Sequence, residues 1–258
     1  MILLPVKTRR IEKGDDIVSV LIEATNRFQV LGFRFQDILV ISSKAVATAE
    51  GRILNLQKLS PSDDAKNYAK KTGLSPAFCQ GVLEEMNFRN GKVVNTCPGA
   101  MLTELKPQHD TEWTVLAANA GLDQSNVAER FAVGWPEDPV KSVARLRREL
   151  EVAVILSDSC CTPRRQGVTA FALAVSGLDP IQSVKGELDL FGKPLRITQE
   201  AVADQLATAA NMLMGNAGQG VPAVIVREHG LRLSEFEGWV PGIEPEEDLF
   251  RGVECVEG

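Results

Sequence analysis

The chain has 258 residues, of which 44% are apolar and 24% are charged. This balance is typical of a folded globular protein and excludes a disordered chain, which buries too little apolar surface to offset the entropy lost on ordering. The net charge of -6 at pH 7 and the pI near 5.2 argue against nucleic acid as the main partner, because binding to a phosphate backbone needs a basic face.

The N-terminal apolar run does not extend beyond Val6, and basic residues follow that run instead of preceding it. This order is unlike a secretory signal, and no apolar run approaches the roughly 18 residues of a membrane span. We therefore expect a cytoplasmic protein without a membrane partner. The five cysteines have neither metal-ligand spacing nor the pattern of a secreted framework, and we expect them to be reduced.

The first predicted strand covers residues 37–41, a short apolar run that is followed by two serines and a lysine at 42–44. Polar residues at the end of a buried strand indicate the edge of a site. Two helices follow, and a serine before a proline marks the start of each. One is predicted from Ser60 to residue 73, and the other from Ser75 to about residue 86.

The middle of the chain contains a short apolar segment, a loop and a helix. Residues 115–118 are apolar and lead into small and polar residues at 119–126, which we predict to be a loop. Asp138 is the predicted N-cap of the next helix, with Pro139 at its first position. We expect the arginines of this helix to form a solvated basic face.

The clearest buried strand is predicted at residues 152–156, and the sequence Ser-Asp-Ser follows it directly at 157–159. A carboxylate is therefore expected at the end of a strand. A second strand is predicted at residues 168–176.

An alanine-rich helix is predicted at residues 199–214, and it stops at the glycine-rich run 215–220. A strand is predicted directly afterwards, at 223–227. Acidic residues gather between positions 235 and 248, where we expect a loop-rich, solvent-facing segment.

Two oxygen-rich clusters follow apolar segments and contain the ligand types that divalent cations prefer. The first is Asp123 with Ser125 and Asn126, and the second is Asp158 with Ser159. Carboxylate, hydroxyl and amide oxygens suit Mg²⁺ and Mn²⁺. The alternative, which the residues leave open, is that both aspartates only cap turns.

The glycine-rich run permits close approach of the backbone to phosphate oxygens. It follows a helix and precedes a strand, which is the reverse of the dinucleotide fingerprint, so a helix stop is the alternative interpretation. Arg164 and Arg165 are suited to phosphate or carboxylate groups, or lie in an exposed loop. The adjacent Cys160 and Cys161 give no sign of a catalytic thiol, and we interpret them as packing residues or as incidental.

Together and in this order, the segments resemble the coenzyme F420 γ-glutamyl ligase family. The resemblance rests on GDD at 14–16, AEGR at 49–52, NAGLDQSN at 119–126, SDS at 157–159 and the whole stretch 186–227. It covers nearly the whole chain. It implies an α+β fold of mixed sheets and helices that forms an intertwined homodimer, with residues 1–258 as a single unit or as two closely packed subdomains.

The resemblance also implies an activity, in which GTP and a divalent metal are used to add L-glutamate to a deazaflavin coenzyme precursor through an acyl phosphate. The implied metal is Mn²⁺ or Mg²⁺, with K⁺ as an additional ion. The implied metal ligands are Asp123, Asp158, Ser159 and Asn216, of which the two aspartates are also the implied catalytic residues. The implied nucleotide contacts are Thr8, Arg9, Arg10, Ile11, Ser43, Lys44, Asn126, Met214, Gly215, Asn216, Ala217, Gly218, Gln219, Gly220 and Val221.

Three places in the chain depart from the pattern of the family. Thr48 stands where the family has a nucleotide-contacting lysine, Cys161 and Thr162 stand at a Gly-Arg pair, and Asn216 replaces a metal-binding glutamate. Loss of one charged contact to phosphate costs about 1.5–3 kcal/mol, or about one to two decades in affinity. We therefore expect weakened binding of nucleotide and metal.

Two other functions stay open from the sequence. One is a divergent relative that binds nucleotide or metal without turnover, which the three departures favour. The other is an ATP- or GTP-dependent amide ligase that acts on a different carboxylated acceptor, because no motif identifies the pocket for the acceptor.

Overall fold

The structure, a computed structural model, describes residues 1–27, 32–107, 113–244 and 246–250. The chain divides into two compact units. Unit 1 contains Met1–Glu50 and Pro136–Val240, and unit 2 contains Gly51–Trp135 and Pro241–Gly258. Each unit mixes strands and helices, so the predicted α+β class is confirmed.

Strands make up most of the elements in the described ranges. The strands are β1 (Ile2–Val6), β2 (Ile38–Ser42), β3 (Ile53–Asn55), β4 (Lys92–Cys97), β5 (Ala100–Leu105), β6 (Val115–Ala118), β7 (Phe131–Val133), β8 (Ala153–Cys160), β9 (Thr169–Leu178), β10 (Gln182–Ser183), β11 (Gln199–Glu200), β12 (Ala223–Arg227) and β13 (Leu233–Trp239). The helices are α1 (Ile17–Arg27), α2 (Ser43–Ala49), α3 (Asp63–Thr72), α4 (Pro76–Phe88), α5 (Pro139–Leu150) and α6 (Val202–Met214). Within the described ranges, no helix is both long enough and apolar enough to cross a membrane.

Unit 1 is built on a six-stranded sheet with the order β1-β12-β2-β8-β9-β13. β2 runs parallel to β8, and the other neighbouring strands are antiparallel. The apolar runs of the central strands, at 38–41, 153–156 and 223–226, are buried, as expected where both faces of a sheet are covered. α6 packs on one face, where Leu206 and Ala210 join Ile38, Ile155 and Val224 in the core.

Unit 2 contains the three-stranded sheet β4-β5-β6, the strand pair β3-β7, and helices α3 and α4. A partly buried ion cluster lies inside it. Arg52 donates to Glu85 at 2.7 Å, and Arg89 donates to the other oxygen of the same carboxylate at 3.1 Å. The ring of Phe88 lies 5.3 Å from each guanidinium group. The arginine of the AEGR motif therefore stabilises unit 2.

The predicted starts of two helices are confirmed. In α4 and α5 the first residue is a proline, and the preceding Ser75 or Asp138 caps the helix with its side chain. The predicted cap of α3 is wrong by two residues, because Ser62 and not Ser60 accepts the capping hydrogen bond. α3 ends as predicted at Gly73, whose φ of 75° favours glycine.

Three other boundaries differ from the prediction because strand pairing extends further than the apolar runs. β8 continues through Cys160, since its polar residues pair with β9. α6 starts at Val202, since the two residues of β11 pair with β10. The acidic C-terminal segment includes β13, where Glu235 accepts from Arg147 of α5 at 2.9 Å. The Arg147–Glu235 pair is exposed, which is compatible with the solvated basic face expected of α5.

A buried ion pair fixes the end of the sheet where β2 begins and β12 ends. Arg227 donates from Nε to Oδ1 of Asp37 at 2.8 Å and from a terminal nitrogen to Oδ2 at 2.6 Å. The two side chains are only 8% and 2% exposed. Removing one partner of such a pair leaves a buried charge and costs about 3–5 kcal/mol. The Arg227–Asp37 pair thus links β12 to the start of β2 at this end of the sheet.

Candidate functional site

The opposite end of the six-stranded sheet collects four chain segments. Val6 at the end of β1 lies beside Ala223, where β12 begins, and Ala223 lies beside Ile41 of β2. Ser42 pairs in parallel register with Ser157 of β8. The segments that emerge at this end, which we call the polar end, are residues 7–11, 43–44, 158–159 and 214–221.

These four segments contain the nucleotide contacts and metal ligands that the resemblance implies, apart from Asp123 and Asn126. Two backbone hydrogen bonds join them. Thr8 N donates to Gly220 O at 3.0 Å, and Ser42 N donates to Pro222 O at 2.9 Å. Residues that are far apart in the sequence therefore form one connected surface within unit 1.

The glycine-rich run connects α6 to β12 and has an open backbone. Gly215 and Gly220 have φ values of 66° and 67°, which side chains disfavour. A Cβ added at Gly218 would meet no atom within 4 Å. Gln219 folds back, and its side-chain oxygen accepts from Ala217 N at 2.9 Å. The run both stops the helix and exposes its backbone, so the two interpretations of the sequence are compatible.

Two of the predicted metal ligands are in contact. Ser159 Oγ donates to Oδ1 of Asn216 at 2.9 Å, and the half-buried Asp158 precedes Ser159 on β8. Carboxylate, hydroxyl and amide oxygens fit Mg²⁺ or Mn²⁺ by type, but this set carries a single negative charge. In the part of the chain that the structure describes, no group of three or more Asp, Glu, His or Cys side chains could hold a metal ion.

The end of β8 also carries a half-buried thiol. Burial raises the pKa of Cys160 to about 11, and the charges of Asp204, Cys161 and Asp158 add to the shift. A thiol with this pKa is protonated at neutral pH and is not a nucleophile. This agrees with the packing interpretation for Cys160, whereas Cys161 is exposed. Burial also raises the pKa of the Asp204 carboxyl group.

The GDD motif anchors the segment that follows β1. Asp15 accepts two hydrogen bonds from the guanidinium of Arg9, at 2.7 and 2.8 Å, and one from Glu12 N at 2.7 Å. Gly14 N donates to the carbonyl of Ala49 at the end of α2 at 2.9 Å. The motif therefore orders residues 7–11 and ties them to α2.

α2 carries three of the residues that the sequence singles out. Ser43 is its first residue and is buried, whereas Lys44 and Thr48 are half-buried and lie one turn apart. Residues with this spacing share a helix face. Thr48 in place of the lysine of the family thus leaves this face with one cation where the pattern of the family has two.

Asp123 and Asn126 belong to unit 2. The carboxylate of Asp123 accepts from Ser125 N at 2.7 Å and from Ser125 Oγ at 2.8 Å, and its backbone is bridged to Val133. Asn126 is exposed and has a φ of 58°. These contacts are the turn-capping alternative that the residues left open. The metal role of Asp123 stays a prediction.

Cys161 and Thr162 lie in the connection between β8 and β9, together with Arg164 and Arg165. All four residues are exposed, and Arg165 N donates to Thr162 O at 3.1 Å within a turn. The structure thus shows the exposed-loop alternative for the two arginines.

Sequence patterns alone do not identify the roles of Asp15 and Asp204. A sequence signal for Asp15 exists, because Asp15 follows Arg9 by only six residues, a spacing that suits a local ion pair. Asp204 has none, since its carboxylate accepts from Ala172 N, a backbone group 32 residues away, at 2.8 Å.

Comparison with known proteins gives consistent matches. The family model described as F420-0:Gamma-glutamyl ligase matches residues 5–228. The coenzyme F420:L-glutamate ligase of Methanothermobacter thermautotrophicus is 38% identical over 247 residues, which cover 93% of this chain and 94% of that protein. The proteins of the same name from Archaeoglobus fulgidus and Methanocaldococcus jannaschii are 36% and 35% identical, over 93% and 83% of this chain and 92% and 84% of their own lengths.

The Arg9–Asp15 pair predicts a pH dependence of the polar end. The guanidinium of Arg9, with the Glu12 amide, lowers the pKa of Asp15 to about 2. Because this value lies below the ordinary value of about 3.9, the contribution of the pair to stability is complete above about pH 4 and is lost as the pH falls towards about 2. In Arg9→Met, the pKa of Asp15 should rise towards about 3.9 in a carbon-detected NMR titration. Arg10→Met is the control and should leave it low; equal values in the two variants would contradict the assignment.

Proposed function

Because the chain belongs to the F420-0:gamma-glutamyl ligase family, as its motifs predicted, we propose that this ligase joins L-glutamate to an F420-type deazaflavin acceptor by an amide bond. The observation that carries the proposal is the convergence of residues 7–11, 43–44, 158–159 and 214–221 at the polar end of one sheet. A carboxylate does not react with an amine unless its oxygen is converted into a leaving group. A surface suited to phosphate groups can hold a nucleotide whose phosphoryl group is transferred to that oxygen.

We propose GTP as the activating co-substrate. An oxygen of the acceptor carboxylate attacks the γ-phosphorus, the bond from that phosphorus to the bridging oxygen breaks, and GDP leaves. The amine of L-glutamate then attacks the carbonyl carbon of the acyl phosphate. The carbon–oxygen bond to phosphate breaks, phosphate leaves with the electron pair, and the nitrogen loses a proton. The contribution of the protein is to position the groups and to neutralise charge.

The glycine-rich run and its neighbours support the nucleotide role. The backbone of residues 216–220 is exposed, and at Gly218 no side chain stands in the way of a phosphate oxygen, whereas the Ala217 N–H donates to the folded-back side chain of Gln219. Lys44 lies at the start of α2, at the same end of the sheet, and supplies an ammonium group. The hydrogen bond from Thr8 to Gly220 holds residues 7–11 against the run. On the resemblance alone, Asn126 is a further nucleotide contact.

The oxygen donors of Asp158, Ser159 and Asn216 support a site for Mn²⁺ or Mg²⁺. The contact of 2.9 Å between Ser159 and Asn216 brings two donors together, and Asp158 is the neighbour of Ser159 on β8. When bound, a divalent ion supplies positive charge that stabilises the phosphoryl oxygens. Asn216 brings no charge, so we expect weaker binding than a glutamate would give. Asp123 as a further ligand, and K⁺ as an additional ion, rest on the resemblance alone.

A second candidate function is a relative that keeps the fold and binds nucleotide without turnover. Three positions support this function: Thr48, Thr162 and Asn216 are neutral where the pattern of the family has a charged residue. Release of GDP in the presence of L-glutamate and an F420-type acceptor separates the two functions, because only the ligase turns GTP over.

We also propose that the chain forms the homodimer implied by the resemblance. Support comes from the connection between β10 and β11, where Leu190, Phe191 and Ile197 are fully exposed although Asp189 orders the turn by accepting from Phe191 N at 2.8 Å. Ordered apolar side chains in water favour a protein partner. Light scattering should give a mass near twice 28.0 kDa, and a folded monomer at micromolar concentration would contradict the dimer.

The metal site predicts a loss of affinity in Asp158→Asn. This change removes the single negative charge of the donor set, and even changes outside the ligand shell cost about 10- to 100-fold in metal affinity. Calorimetric titration with Mn²⁺ in the presence of GDP should therefore show binding weakened by more than about 100-fold. Asp64→Asn, at an exposed position of α3, is the matched control. Wild-type affinity in Asp158→Asn would remove Asp158 from the site.

Restoring the missing cation predicts tighter nucleotide binding. An ammonium group at position 48 adds a charge-assisted contact worth about 1.5–3 kcal/mol, so Thr48→Lys should bind GTP about tenfold more tightly or better. Asn67→Lys adds the same charge on the exposed surface of α3 and should change nothing. If Thr48→Lys melts at a lower temperature without a gain in GTP affinity, the lysine is unpaired and the site serves another ligand.

A further inference from the structure

The β8–β9 ladder contains a bulge where the polar part of β8 begins. The consecutive residues Leu156 and Ser157 of β8 pair with Ala174 and Ala172, so Leu173 is the extra residue on β9. A bulge bends a strand and re-aims the side chains that follow it. This bulge separates the apolar half of β8 from the polar residues that reach the polar end.

Two side chains of α6 hold β9 beyond the bulge. Asp204 Oδ1 accepts from Ala172 N at 2.8 Å, and Thr208 Oγ1 donates to Ala170 O at 2.8 Å. The two residues are one helical turn apart and so share a face of α6. The strand pairing of β13 with β9 runs as far as Ala174, and Val240 N, directly after β13, donates to the carbonyl of the bulge residue Leu173 at 3.0 Å. The side chains of α6 therefore satisfy backbone groups of β9 at the point where the neighbouring strand ends.

The contact made by Asp204 is stronger than an ordinary hydrogen bond. Its carboxylate is half-buried and accepts from a backbone amide, which makes the bond charge-assisted in a region of reduced solvent. Asp204 also lies in the first turn of α6, where the helix dipole favours an anion. A role in helix stability alone is thus the competing explanation.

We propose that Asp204 is a positioning residue for Asp158. By holding the Ala172 amide, its carboxylate fixes the bulge, and the bulge sets the direction in which Asp158 and Ser159 leave the buried half of β8. The inference rests on the proposed function, because it takes Asp158 as a metal ligand.

The test compares Asp204→Ala with Asp204→Asn, which keeps an oxygen acceptor in place of the carboxylate. Hydrogen exchange over residues 169–173, measured by mass spectrometry, reports the bulge, and calorimetric titration of Mn²⁺ with GDP present reports the site. Asp204→Ala should exchange faster and bind Mn²⁺ about 10- to 100-fold more weakly. Asp204→Asn should keep the exchange of the wild type and most of its affinity.

The charge distinguishes positioning from helix stability. Asp204→Asn removes the anion that the helix dipole favours, so equal losses in both variants would assign Asp204 to the helix and overturn the proposal. The proposal would also be overturned if Asp204→Ala showed the same hydrogen exchange and the same Mn²⁺ affinity as the wild type. If Asp204→Ala does not fold, Thr208→Val against Thr208→Ser makes the same comparison one turn along α6.

Failure of the proposed function gives a different result. If Asp158→Asn binds Mn²⁺ as tightly as the wild type, Asp158 is not a metal ligand. There is then no metal site for Asp204 to position. Loss of binding in Asp158→Asn together with full binding in Asp204→Ala keeps the metal site and overturns only the role of Asp204.

Discussion

The parallel pairing of β2 with β8, beside the antiparallel pairing of β2 with β12, is the constraint on which the candidate site depends. With this register, the residues after β2 and β8 and those before β12 must emerge together. An antiparallel β8 would place Asp158 at the other end of the sheet, beside the Arg227–Asp37 pair. Parallel neighbours need a long crossover, and here the chain between β2 and β8 includes residues 51–135 of unit 2 as well as α5.

The two ends of the sheet use charge in different ways. Arg227 and Asp37 are buried, and their charges satisfy each other. At the polar end, charges are exposed or half-buried, and Asn216 supplies a neutral oxygen where the pattern of the family has an acid. A polyphosphate is negatively charged, so its binding at this end would depend on the number of cations there. At the proposed nucleotide site, the side chains at positions 44 and 48, one turn apart on α2, are therefore expected to set the affinity.

The sequence predicted local features well and long-range features less well. Ser75 and Asp138 caps followed by proline set helix starts through contacts within one turn, so local sequence suffices. The extension of β8 through Cys160 depends on β9, and the short strand β11 depends on β10, so apolar runs underestimate both. The site segments were found through their order along the chain. Their meeting at one end of a sheet, and the contact of Asp204 with Ala172, depend on strand register that no single segment encodes.

The order in which the strands pair has a consequence for synthesis of the protein. β1 leaves the ribosome first, yet its neighbour β12 begins at Ala223, and β2 must wait for both β8 and β12. The strands β4, β5 and β6 pair with close neighbours in sequence and can form much earlier. A nascent chain therefore carries the apolar run Ile38–Ser42 without a strand partner until β8 has been made, which exposes it to aggregation. A chain that ends before Ala223 lacks β12, the strand that pairs with both β1 and β2.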